Sequence, residues 1–219
     1  MSQQVNQKWV RFPESLQDIF EGLWQEVASL HAQWELYQDL FTNADDIELI
    51  NSTVPGVFQI IEENLRVSMT LAFGRLTDPI DHGKKRQNLS LARLVDTIKS
   101  HGETNLTLMT TQVFDQIRAE CKPFSEHRNR KFAHNDLSTT VNYKENPLPG
   151  IGRNRIENAL VLVARLMNLI QIHFEDGETA YAHGIQMGRG RDLLFCIRQS
   201  VELDRMRHEA EVARYRNVN

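Results

Sequence analysis

Apolar residues return at intervals of three and four along almost the whole chain, and that period commits it to helices rather than sheets. The first stripe starts behind Pro13 and runs through Leu16, Ile19, Phe20, Leu23, Trp24, Val27, Leu30, Trp34, Tyr37 and Phe41. Proline costs nothing in a first helical turn, where its missing N–H would have had no partner. A second stripe runs from about Asp45 to Leu76 and is broken or kinked at Pro55-Gly56. Shorter helices are expected over Ser90–Ser100 and from about Asn105 to Cys121, with Pro123 ending or bending the latter. A new segment would then start near Ser125, whose hydroxyl can cap it. The stretches Thr77–Asn88, Leu137–Arg153 and His183–Gly190 are rich in glycine, proline or polar residues and read as connections. The expected fold is an all-α bundle of six to eight helices.

One helix differs from the rest. From Asn154 to Phe174 the pattern is apolar nearly all round, and between Leu160 and Ile172 only Arg165, Asn168 and Gln171 interrupt it. Such a helix is buried in a core or a subunit interface. Arg165 is then the odd core residue, open to pairing with an acid across a dimer seam. A final helix, from about Asp192 to Arg216, alternates arginines with acids and reads as a solvated arm. These patterns divide the chain into an N-terminal helix packing on the bundle (1–45), a helical core (46–176) and a C-terminal helical extension (177–219).

Composition narrows the function classes. The longest unbroken apolar run, Ala159–Ala164, is far short of the roughly 18 residues that span a bilayer, so no membrane partner is expected. The start, MSQQVNQKWV, has no apolar run of the secretory kind. Cys121 and Cys196 stand far apart without metal-ligand spacing, which predicts no disulfide framework, no metal site and a cytoplasmic location. With 25 Lys and Arg against 29 Asp and Glu, the net charge of -4 opposes nucleic-acid coating through the overall field but permits a local basic site.

That site is Ser125–Asp136, SEHRNRKFAHND. Five Lys or Arg face two acids between Arg118 and His134. On a continuous α-helix His127, Lys131 and His134 share one face, while Arg128 and His134 lie about 120° apart. A histidine among guanidinium groups suits phosphate chemistry: imidazole moves protons near neutral pH, and arginine holds the phosphate and its developing charge. Spacing alone does not separate this from an ordinary solvated basic turn.

The segment Arg128–His134, RNRKFAH, resembles the signature of the HEPN superfamily: an arginine, a polar residue directly after it, and a histidine beyond five intervening residues. Gly74–Asp78 (GRLTD) and Asn88–Leu94 (NLSLARL) resemble the AbiU-like abortive-infection branch, and the similarity covers Val57–Phe174. The resemblance implies a cofactor-free, metal-independent endoribonuclease, homodimeric, with two Arg-His pairs converging on a composite active site. His134 would then be the proton shuttle, Arg128 the phosphate clamp, and Asn129 an orienting hydrogen-bonder. His127, Arg130 and Lys131 are inferred RNA contacts, and Asp136 either orients the site or caps a helix. The products would be a 2′,3′-cyclic phosphate and a 5′-hydroxyl. The role would be phage defence or toxicity, restrained by an antitoxin or regulatory protein. The same resemblance permits a non-catalytic HEPN dimer that binds nucleotide, RNA or a partner protein.

Other features carry less. Lys84-Lys85-Arg86 can touch a nucleic-acid backbone but reads equally as an exposed basic loop. Asp78 and His82 straddle Pro79 and need not share a face. Gly188–Asp192, GRGRD, lacks the GxxxxGK[ST] spacing of a phosphate loop and reads as a flexible connector.

Overall fold

The computed structural model describes residues 9–81, 87–132, 148–184 and 188–216. Among them are seven α-helices: α1 (Glu14–Phe41), α2 (Ala44–Thr53), α3 (Pro55–Leu76), α4 (Leu91–Ser100), α5 (Thr104–His127), α6 (Arg153–Glu175) and α7 (Gly190–Arg216). A π-helical turn, Arg128–Phe132, continues α5, and a short 3-10 turn covers Tyr181–His183. The described residues contain no strand beyond one isolated antiparallel bridge, Asp81 to Gln87. The fold is all-α, as the apolar period requires.

Local signals set most helix ends. Asn43 caps α2 by accepting from the backbone N–H groups of Asp45 and Asp46. Pro55 occupies the first position of α3, so the second stripe is two helices rather than one kinked helix. Ser90 caps α4 by accepting from the Arg93 N–H.

Pro123 does not end α5. The helix runs through it to His127, and the Arg155 guanidinium donates to the Glu120 carbonyl at 3.1 Å, beside the carbonyl that Pro123 leaves without a donor. Ser125 therefore caps nothing; its hydroxyl lies 3.4 Å from that of Thr77.

The chain divides into two compact units. One comprises residues up to His31 together with Arg66–Gly184. Its core takes Leu16, Phe20 and Leu23 from α1, and Met69, Phe73 and Leu76 from α3. It also takes Leu94 from α4, Ile117 and Phe124 from α5, and Leu166 and Ile170 from α6. Trp9 packs edge-on against Phe12, Phe20 and Trp24, and Phe12 meets Phe174. The helix read as apolar all round is one-sided: Val161 is 65% exposed and Ile172 48%. Arg165 is exposed as well, on that same side, and is not a core residue.

The second unit comprises Ala32–Leu65 and the chain from Ile185 onward. Trp34 and Tyr37 stack at 5.4 Å, and Phe41 meets Phe58 edge-on. The GRGRD segment is a clamp rather than a flexible connector. Asp39, whose side chain is 3% exposed, accepts from Arg191 Nε at 2.8 Å and Arg189 Nε at 3.4 Å, and Arg189 also pairs with Glu35. Gly190 fits because it has no side chain: a Cβ there would lie 2.7 Å from that of Asp39. Gly190→Ala is expected to cost about 1–3 kcal/mol by overpacking. Limited proteolysis within α7 should accelerate several-fold, and an unchanged digestion rate would show that the clamp does not fasten α7. Beyond Leu194 the described side chains of α7 are exposed or half-buried.

Candidate active site

The site is built where the C-terminal ends of α3 and α5 come together in the first unit. Phe73 and Phe124, both fully buried, pack with ring centroids 4.4 Å apart and fix the two helices. One residue beyond Phe73, Gly74 faces Arg128; a Cβ there would lie 2.9 Å from Arg128 Cδ and 3.2 Å from Nη1. Beyond the end of α3, Asp78 accepts from Arg128 Nη1 at 2.7 Å. The pair is largely withdrawn from water, with side chains 18% and 14% exposed. Two helix C-termini carry partial negative charge, so this is a favourable place for a guanidinium.

Arg128 is held from a second side as well. Its Nε donates to Asn129 Oδ1 at 3.1 Å, so the polar residue directly after the arginine orients that arginine. Together the two bonds use Nε–H and one Nη1–H. A guanidinium has five N–H groups, and the other three can take phosphate oxygens.

The turn that carries Arg128 is π-helical rather than α-helical. The 3.6-residue phase that placed His127 and Lys131 on one face therefore fails at Arg128. Lys131 is exposed on this turn and Arg130 half-buried. The His127 ring lies 2.7 Å from the Pro149 carbonyl through Nε2. A carbonyl only accepts, so Nε2 carries the proton and donates it there. His127 thereby ties the end of α5 to the residues just before α6.

His134, the expected proton shuttle, lies outside the described residues, as do Asp136, His82 and Lys84-Lys85-Arg86. Among the described residues no cluster of three His, Cys, Asp or Glu side chains forms a metal site, and no helix is long and apolar enough to cross a membrane.

Neither Asp78 nor Gly74 is a candidate site residue on sequence alone. The signal was present in the GRLTD segment, but its partner stands 50 positions away and only the fold joins them.

A family model described as AbiU2, of the HEPN type, matches residues 13–192. The chain belongs to the HEPN_AbiU2 family. The HEPN_AbiU2 match extends beyond Val57–Phe174 to take in α1, α2 and the first turn of α7. No curated protein and no solved structure matches the chain.

Proposed function

We propose that this HEPN_AbiU2 protein is a metal-independent endoribonuclease that acts as a homodimer in abortive infection or as a toxin. The observation that carries the reading is Arg128 itself. It is fixed on two sides by Asp78 and Asn129, it keeps three N–H groups for a phosphate, and it sits on a turn rich in basic residues. Arginine presented in this way clamps a phosphodiester and meets the negative charge that builds on its oxygens.

The cleavage needs two proton transfers. A base takes the proton of the ribose 2′-hydroxyl as its oxygen bonds to phosphorus. An acid gives a proton to the departing 5′-oxygen as its bond to phosphorus breaks. His134 fills one role in each chain, so two copies facing one scissile phosphate fill both. His127 is poorly suited to the second role because its Nε2 proton is committed to Pro149. Arg130 and Lys131 contact the RNA backbone, and an antitoxin or other regulatory protein restrains the enzyme.

The test is cleavage of total RNA by the purified protein in excess EDTA, with end-group analysis. Cyclic phosphate and 5′-hydroxyl ends are expected. His134→Ala and Arg128→Ala should each lose at least about 100-fold in rate, the scale of a lost proton-transfer group or oxyanion donor. Cleavage that survives in both variants would place the active site elsewhere. RNA binding without cleavage would favour a non-catalytic HEPN dimer.

A further inference from the structure

We propose that Asp78 and Gly74 are positioning residues of the ribonuclease site: they form the seat that aims the Arg128 guanidinium at the scissile phosphate. The inference rests on the ribonuclease reading and extends it to a segment 50 positions upstream of the arginine.

Arginine has long side-chain freedom, and an untethered guanidinium would have to be ordered each time a substrate bound. The seat removes that freedom beforehand. Gly74 opens a space that any side chain would close, since a Cβ would meet Arg128 at Cδ, Nη1 and Nε, all within 3.3 Å. Only the middle of the arginine chain could yield there, and it is pinned on both sides of the contact, by its own backbone and by its guanidinium. Asp78 does the pinning at Nη1 and Asn129 at Nε, which leaves the second Nη1 hydrogen and both Nη2 hydrogens for the ligand. A neutral acceptor at Asp78 would hold the guanidinium less firmly than a carboxylate, because the charge-assisted bond is the stronger one. The seat therefore acts on orientation more than on attraction. Asp78 even lowers the local positive charge, so its value lies in the transition state rather than in ground-state binding.

The experiment is a pair of mutant cycles on the full-length protein, with a single-site RNA substrate for kinetics and thermal melting for stability. Asp78→Asn should lower kcat at least about tenfold, with KM unchanged or lower, because the group lost orients rather than binds. In an Arg128→Ala background, Asp78→Asn should produce no further loss of kcat, since nothing remains to aim. Gly74→Ala should lower the melting temperature in the wild-type chain. In the Arg128→Ala background the same change should be neutral or raise it, because the space is vacated and alanine is the better helix former. A purely structural role for Asp78 predicts instead that its effect on kcat is the same with or without Arg128, and that result would overturn the proposal. So would equal melting shifts for Gly74→Ala in both backgrounds. If wild type cleaves, Arg128→Ala does not and Asp78→Asn cleaves normally, the seat is refuted and the ribonuclease reading stands. A wild-type chain that never cleaves, or an Arg128→Ala variant that cleaves like wild type, refutes the reading and the seat together.

Discussion

Truncating Phe73 to alanine should cost the protein about 3–5 kcal/mol of stability, the range for removing a fully buried aromatic from a packed core. Phe73 is wholly buried and its ring lies 4.4 Å from that of Phe124, itself 1% exposed. The contact joins α3 to α5 one turn below Arg128, and the Phe124 carbonyl also accepts the Arg128 backbone N–H. A cavity at Phe73 therefore loosens the arginine seat as well as the core. RNA cleavage should fall by more than the folded fraction accounts for, even at low temperature where the variant is still native. Phe73→Leu, which keeps most of the volume, should cost about 1–2 kcal/mol and leave most of the activity. Urea unfolding midpoints with parallel cleavage assays decide the matter. A loss below about 1 kcal/mol for alanine would show that the two helices do not depend on this contact.

The features that sequence revealed and those it hid separate by the distance over which each is determined. Helix positions were legible because apolar spacing acts within a few residues; the caps Asn43 and Ser90 are equally local, yet the apolar pattern does not pick them out as caps. Pro123 does not end α5, the first of the two outcomes a local rule allows, and a side chain from α6, Arg155, supplies a hydrogen bond beside the gap. GRGRD looked like a connector because glycine and arginine are individually uninformative. Its meaning lies in Asp39, about 150 positions earlier, whose buried carboxylate takes two arginines and whose Cβ leaves no room for a side chain between them. The apolar pattern puts Arg165 in a core or a subunit seam; within this chain it is no core residue, because Val161 and Ile172 share its exposed side.

The candidate site follows the same rule. Arg128 and Asn129 were legible as a motif, and their mutual hydrogen bond is a local consequence of adjacency. Asp78 was not, because pairing with Arg128 depends on two helix ends meeting. The π-helical turn was hidden too: Arg128–Phe132 contains no proline or glycine to mark a change of helix type, and the α-helical phase was the simplest extension of α5.

Stability should also fall on acidification through a residue outside the candidate site. His31 is 9% exposed and stacks on Tyr181 with centroids 5.6 Å apart. Burial holds its imidazole down to about 4, and a hydrogen bond to the Leu160 backbone offsets only part of that shift. Nε2 of His31 has no hydrogen-bond partner among the described residues, so a second proton would enter an unsatisfied, dry position. In the unfolded chain the same ring takes a proton near its ordinary 6.5. Between these two values the unfolded state binds more protons than the folded state, so stability rises with pH across that window. The contribution is complete above 6.5 and is lost as pH falls toward about 4. The full loss amounts to about 3 kcal/mol, of which about 2 kcal/mol is already gone at pH 5. Urea midpoints at pH 7, 6 and 5 measure it before most carboxylates begin to titrate. His31→Gln, which cannot take up the proton, should flatten the difference between pH 7 and pH 5 by about 2 kcal/mol even if it lowers stability throughout. If wild type and variant lose stability in parallel over that range, the acid sensitivity belongs to other groups and His31 takes up its proton as readily in the fold as in the unfolded chain.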